Sequence, residues 1–337
     1  GWDEILHPDL PKSAMIQSWR GPTGVAEAAR AGHSVILSNG YYIDLIFPTR
    51  DHYLNDPLPP DNPLTPQEQR RVLGGEATMW AEWVTPETID SRIWPRTAAI
   101  AERLWSPREV RDVEDMYRRL EYASLRLGEA GLLHERNRPF LIRRYAGDDA
   151  TPEGLRLLAE LIAWVEPVKG YRRGQEQPGT TQHRPLTGLA DCAVPDSAPA
   201  RGFARAVDAV VAGDAPPHAL MPALESWTRL GEAVADRANE FGPRSAELTA
   251  LAEQFRNVAG IALELIPEAE ALTDAAIDEA LARLQSTVHP VAAVELPAAR
   301  ALKLLLVALR EEENRGNLSA EAWREQVEAI AFPAQTP

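Results

Sequence analysis

The run Gly74-Gly75-Glu76-Ala77-Thr78-Met79-Trp80-Ala81-Glu82-Trp83 sets two tryptophans and two glutamates behind a glycine pair. Trp2, Trp19 and the Tyr41-Tyr42-Ile43-Asp44 segment put similar residue types earlier in the chain. Indole faces stack on the apolar faces of a pyranose, and its hydroxyls need acceptors such as carboxylates. Trp2, Trp19, Tyr42 and Trp80 as walls, with Asp44 and Glu82 as acceptors, therefore suit a sugar site. Each aromatic also has a plainer reading as core. Barrel cores, however, are built from Val, Ile and Leu layers, and four successive strand ends bearing aromatics depart from that. Packing is the expectation for Trp83, an interior ion pair for Glu76, and structural ion pairs for Glu102 and Arg103. Arg20 reads as solvated. His7, His33 and His52 are scattered without the spacing of metal ligands, so neither a metal nor a cofactor is expected.

The elements that must position these residues follow a βα alternation. Residues 13–19 read as a strand ending on Trp19, and 23–31 as a helix with Thr23 as its N-cap. Gly32 ends that helix and His33-Ser34-Val35-Ile36-Leu37-Ser38 follows as a strand. A loop rich in Pro, Asp and Asn covers 48–65, the next strand lies within 71–80, and 86–105 is helical behind Thr85-Pro86-Glu87. Such alternation implies a parallel sheet with crossover helices, whose functional residues gather at the C-terminal strand ends. Beyond about residue 109 strand signals fade. Helical patterns cover 109–130, 152–166, 198–212, 217–239, 243–266, 273–286, 290–312 and 319–331, and 167–197 is a loop-rich connection. The fold expected is α/β over 1–148 followed by an α-helical domain over 149–337.

A net charge of −15 argues against nucleic acid or an anionic membrane as partner. No run of about 18 apolar residues suggests a membrane span. Cys192 stands alone, which rules out an intrachain disulfide. "GWDEIL" at the start reads like a strand end running into a loop, as in a chain cut within a domain.

Taken together, "GWDEI" (1–5), "IQSW" (16–19), "GHSVILSNGYYIDL" (32–45), "GGEATMWAEWV" (74–84) and "RIWPRTAAIAERLWSP" (92–107) resemble glycoside hydrolase family 20, the β-N-acetylhexosaminidases, in order as well as wording. The resemblance covers residues 1–130; the helical remainder is similar, less specifically, to C-terminal extensions of some bacterial members. It implies the C-terminal half of a (β/α)8 TIM barrel, the N-terminal domain and the first half-barrel being absent. It also implies hydrolysis of terminal non-reducing N-acetylhexosamine, GlcNAc or GalNAc, by a substrate-assisted retaining mechanism. Trp2, Trp19 and Trp80 would box the acetamido methyl, and Tyr42 would donate to the acetamido oxygen. Asp44 and Glu82 would accept from the 6- and 4-hydroxyls, with Leu45 flanking the 6-hydroxyl. The general acid Glu and its orienting Asp would lie upstream of Gly1. Asp3-Glu4 follows the fifth-strand Trp and is not that pair, so the isolated fragment is expected to be inactive. His52 stands where many relatives carry Trp, which puts that loop's subsite contacts in question. A periplasmic or secreted full-length protein is the expected setting, and a homo-oligomer is left open. Two alternatives remain. Asp44 and Glu82 could be the nucleophile and acid of a conventional retaining glycosidase, or the chain could be a non-catalytic carbohydrate-binding or interaction protein.

Overall fold

The computed structural model describes residues 1–179, 181 and 183–333. Residues 180 and 182 of the loop-rich connection lie outside these. The chain divides into two units, one of Gly1–Arg138, Lys169–Gly174 and Gly179–Leu186, the other of Pro139–Val168, Gln175–Pro178 and Thr187–Pro337. The first unit thus ends its continuous part at Arg138, and regains two short pieces from the connection.

Three strands, β1 (Ile16–Ser18), β2 (Val35–Leu37) and β3 (Val72–Gly75), form the parallel sheet of the first unit in the order β1-β2-β3. Helix α1 (Pro22–Arg30) crosses from β1 to β2. Its Val25, Ala28 and Ala29 are buried with Ile16, Val35 and Leu37. That apolar stripe is why the segment is a helix packed on the sheet. Thr23 is not its cap: the helix begins at Pro22, and the residue before it, Gly21, carries no capping side chain. The strands are shorter than the sequence pattern suggests, because the register breaks early. Val35 pairs with Val72 but Ile36 with Gly74, a one-residue slip in β3. Gly74 sits there at φ +135°, a conformation that disfavours a side chain. A Cβ on Gly75 would lie 2.6 Å from the Tyr41 ring and 3.0 Å from the Leu37 carbonyl oxygen. The glycine pair therefore permits close approach of β3 to the chain leaving β2.

The single helix expected over 86–105 is two: α3 (Ile89–Ile93) and α4 (Arg96–Trp105). Pro95 lacks the N–H that would continue the first. Thr85-Pro86-Glu87 does not start a helix but a turn, in which the Thr88 hydroxyl accepts from the Thr85 N–H at 2.9 Å. Helix α4 adds Ile100 to the sheet core, while its other side packs Ala99 with Tyr53 and with Met116, Tyr117 and Leu120 of α5 (Val113–Glu129).

The second unit is helical around one large core that includes Trp227 and Trp323. Its main helices are α6 (Pro152–Ala163), α7 (Ala198–Ala212), α8 (Met221–Asp236), α9 (Ser245–Leu265), α10 (Asp274–Thr287), α11 (Pro297–Arg310) and α12 (Ala320–Ala331). Thr151 caps α6, its hydroxyl accepting from the Gly154 N–H at 3.0 Å, and Ser319 caps α12 in the same way at 3.2 Å. The unit is not purely α-helical. Residues expected to extend α6 and to begin α11 instead pair as an antiparallel ribbon of β4 (Glu166–Pro167) and β5 (Val294–Glu295). The tight Val291–Val294 turn with Ala292 and Ala293 at positive φ feeds that ribbon and delays α11 to Pro297. Among the described residues, no helix is long and apolar enough to cross a membrane.

Trp227 is fully buried, its ring centroid 4.9 Å from that of Trp164, 4.6 Å from Phe203 and 5.9 Å from Phe255. Trp105, by contrast, is 91% exposed. Trp227→Ala should cost about 3–5 kcal/mol, the range for a large aromatic deleted from a packed core. Trp105→Ser should stay within about 0.5 kcal/mol of the parent. Urea unfolding followed by circular dichroism checks both values.

Candidate functional site

Trp2 pairs in parallel with Gln17, so it lies beside β1 on the side opposite β2. The turn Asp3–Ile5 that follows carries two carboxylates back toward the end of β1. Asp3 Oδ2 accepts from the backbone N–H of Trp19 at 3.3 Å and of Arg20 at 3.4 Å. Glu4 accepts from the Trp19 indole N–H at 3.0 Å and pairs with the Arg20 guanidinium at 2.8 Å. Arg20 is thus a partner rather than a merely solvated side chain, and Glu4 sets the rotation of the Trp19 ring.

The segments leaving β2 and β3 remain joined beyond the sheet. Thr78 N–H donates to the Tyr41 carbonyl and Ile43 N–H to the Thr78 carbonyl, both at 3.0 Å. This ladder places Tyr42 and Trp80 on neighbouring strand extensions. The Trp2 ring stands edge-on to Trp19, with centroids 6.3 Å apart, and lies 5.8 Å from Trp80. Trp2, Glu4, Trp19, Tyr42, Trp80, Glu82 and Tyr171 line one cavity of about 290 Å³. That volume is near the lower end for small-molecule clefts. Burial holds the Tyr42 phenol above its ordinary range, so it is a neutral donor at the cavity wall.

Asp44 is only 3% exposed, and its carboxyl is hydrogen-bonded to that of Glu82. Burial first, then the Glu82 hydrogen bond and charge, push Asp44 up to about 7. Asp44 therefore keeps its proton toward neutral pH, with Glu82 lining the cavity and Asp44 outside the lining. Leu45 is half-buried and outside the cavity lining; its carbonyl accepts from the Gly170 N–H at 2.8 Å.

Several side chains hold this frame without touching the cavity. Arg96, 2% exposed, donates to the carbonyls of Ile43 at 2.7 Å and Phe47 at 2.8 Å, and also to that of Arg92. His52 is buried and its Nδ1 lies 2.7 Å from the Gly40 carbonyl, so its ring belongs to the scaffold of this loop. Trp83 packs beneath the Arg173 guanidinium, 4.3 Å from its ring centroid. Glu102 pairs with Arg119 and accepts from the Tyr53 hydroxyl at 2.8 Å. Arg103 instead donates to the backbone carbonyls of Pro107 and Val110, each at 2.8 Å. Glu76 is half-buried and makes no ion pair among the described residues; its N–H donates to the Leu37 carbonyl at 3.0 Å. No group of three or more His, Cys, Asp or Glu that could hold a metal occurs among the described residues.

Two lining residues escaped sequence reading. Glu4 follows Trp2 by two positions, which was a usable signal. Tyr171 comes from the loop-rich connection, more than 85 residues after Trp83, and had no periodic pattern to mark it.

Residues 1–108 match glycosyl hydrolase family 20, catalytic domain. The chain is 37% identical over 150 residues to a beta-hexosaminidase of Porphyromonas gingivalis, an alignment spanning 39% of this chain and 19% of the relative. It is 34% identical over 139 residues to the human beta-hexosaminidase subunit beta, spanning 39% of this chain and 25% of that subunit. The crystal structure of a Flavobacterium johnsoniae chitobiase superposes with a TM-score of 0.78 at 35% identity, over 91% of this chain and 47% of that one. The chain therefore spans a fifth to a quarter of these curated relatives and just under half of the chitobiase.

The raised Asp44 carboxyl has a measurable consequence. The folded Asp44 holds its proton up to about 7, whereas the ordinary value is 3.8. Between those values the folded chain binds a proton that the unfolded chain has released. The unfolding free energy should therefore fall as pH rises from about 4 to about 7, and this contribution levels off on either side. Asp44→Asn keeps a donor toward Glu82 but cannot titrate, so it should flatten that slope. Urea midpoints measured from pH 4 to pH 8 for both proteins test this; equal slopes would refute it.

Proposed function

We propose that this chain forms the sugar-holding wall of an exo-acting β-N-acetylhexosaminidase, which releases terminal GlcNAc or GalNAc by a substrate-assisted retaining route. The observation that carries the proposal is the convergence of three indoles, the Tyr42 phenol and the Glu82 carboxyl on one small cavity. The names of the related beta-hexosaminidases and of the chitobiase support the substrate class. In this reading β1, β2 and β3 belong to the C-terminal half of a (β/α)8 barrel within 1–148, and 149–337 is a helical domain.

The chemistry follows from the wall. The acetamido oxygen of the substrate attacks its own anomeric carbon, so no protein nucleophile is needed. Trp2, Trp19 and Trp80 enclose the acetamido methyl, exclude water and keep the oxygen within attacking distance, which is a proximity effect. Tyr42 donates to that oxygen as positive charge develops on the acetamido group and fixes its direction. Glu82, which lines the cavity, takes the 4-hydroxyl, with Asp44 and Leu45 outside the lining.

The general acid is a different matter. Glu4 is a lining carboxylate, but its own backbone N–H, the Trp19 indole and Arg20 hold it below the ordinary carboxylate range. It is ionised where a proton donor would be required. The acid and the Asp that orients it are therefore assigned to residues outside this chain. The 337-residue chain should quench its tryptophan fluorescence on titration with GlcNAc, yet release no chromophore from a chromogenic N-acetylglucosaminide. Trp80→Ala should weaken that binding about three- to tenfold, the magnitude of one aromatic contact. Turnover by the isolated chain would overturn the division of labour, and absence of GlcNAc binding would overturn the site itself.

A further inference from the structure

Residues Lys169–Gly174 belong to the first unit although they follow its continuous part by 30 residues. They also lie beyond the residues that match the family. Two contacts fasten this segment to both loops of the site. The Gly170 N–H donates to the Leu45 carbonyl at 2.8 Å. Gly170 itself sits at φ +60°, and a Cβ there would come to 3.6 Å from the Phe47 ring. Arg173, fully buried, lies over Trp83, one residue past Glu82. Leu45 and Phe47 are on the loop after β2; Trp83 is on the loop after β3. Between the two anchors stands Tyr171, 70% exposed, with its side chain on the cavity.

An exposed aromatic on a backbone pinned at both ends has no packing duty. Its exposure is not the result of a loose segment, since the residues on either side are held. Trp2 and Trp19 are half-buried, and Trp80 is 56% exposed, so Tyr171 is farther out than any of the indoles. It lines the same cavity as Tyr42. An open ring face at the rim of a sugar-sized pocket is what a second pyranose would stack on.

On the proposed function, we infer that Tyr171 is a specificity-determining residue: its ring is the platform for the second saccharide of a β-linked N-acetylhexosamine chain, whose terminal unit occupies the cavity. The segment that carries it acts as a strap across the two site loops. Selectivity for an oligosaccharide over a monosaccharide is thus supplied by residues outside the family-matched region.

The test is a tryptophan-fluorescence titration of the 337-residue chain with GlcNAc and with N,N′-diacetylchitobiose, for the parent, Tyr171→Phe and Tyr171→Ala. The disaccharide should bind the parent about three- to tenfold more tightly than GlcNAc, one aromatic contact's worth. Tyr171→Phe should keep that advantage and Tyr171→Ala should abolish it, bringing the disaccharide to the affinity of GlcNAc. An advantage that survives in Tyr171→Ala, or is missing from the parent, refutes the platform. An equal loss for both sugars in Tyr171→Ala places the ring in the first subsite and refutes the rim assignment. Loss in Tyr171→Phe makes the hydroxyl, not the ring, responsible and refutes stacking. Failure of the parent to bind GlcNAc at all overturns the proposed function and this inference with it, a result distinct from all the others.

Discussion

The guanidinium of Arg96 is the interaction on which the site rests. The loop after β2 turns sharply through a 3-10 turn, Ile43–Leu45, and leaves it with Ile46 at φ +65°. A β-branched residue in that conformation is strained and must be held by its surroundings. The turn also points the carbonyls of Ile43 and Phe47 inward, where an unmade hydrogen bond costs roughly 1–3 kcal/mol. Arg96 answers both carbonyls from the first turn of α4. Tyr42, Asp44 and the Leu45 carbonyl occupy that loop, so the donor wall, the buried carboxyl and the anchor of the strap depend on one buried cation.

The carboxyl pair then shows how burial and exposure divide a task. Alone, a carboxyl as deeply covered as Asp44 would be costly to ionise. Beside Glu82 it keeps its proton toward neutral pH, and a protonated carboxyl offers a donor as well as an acceptor. Glu4 is the counter-example in the same cavity. It is tied to an indole N–H and a guanidinium and carries full charge, so it serves Trp19 rather than a ligand proton.

Much of this was legible in the residues. The Val35-Ile36-Leu37 run and the apolar face of α1 specify a parallel strand–helix–strand unit, and aromatics at strand ends announce a lined cavity. What the sequence concealed has physical causes. The strand pattern at 71–80 overruns because the slip at Gly74 is a matter of register, which a one-dimensional pattern does not encode. Pro95 divides a stretch whose apolar spacing is helical on both sides. The ribbon β4–β5 joins Glu166 to Glu295 across more than 100 residues, with two residues in each strand, too few for periodicity to register. Arg103 has the Glu102 carboxylate beside it in sequence but donates to carbonyls, a preference that only the fold of 106–110 creates.

Tyr171 is the sharpest case of such concealment. The alignments with the curated relatives span 39% of this chain, whereas the match to the chitobiase, at 35% identity, spans 91% of it. At 169–174 the path is fixed by a glycine at positive φ, one backbone hydrogen bond and one buried cation over an indole, and none of these constrains residue 171 itself. The position is therefore free to vary in side chain without disturbing the loops it spans. A strap held at both ends, bearing an exposed residue at the mouth of the cavity, is a place where sugar preference can change while the frame held by Arg96 stays as it is.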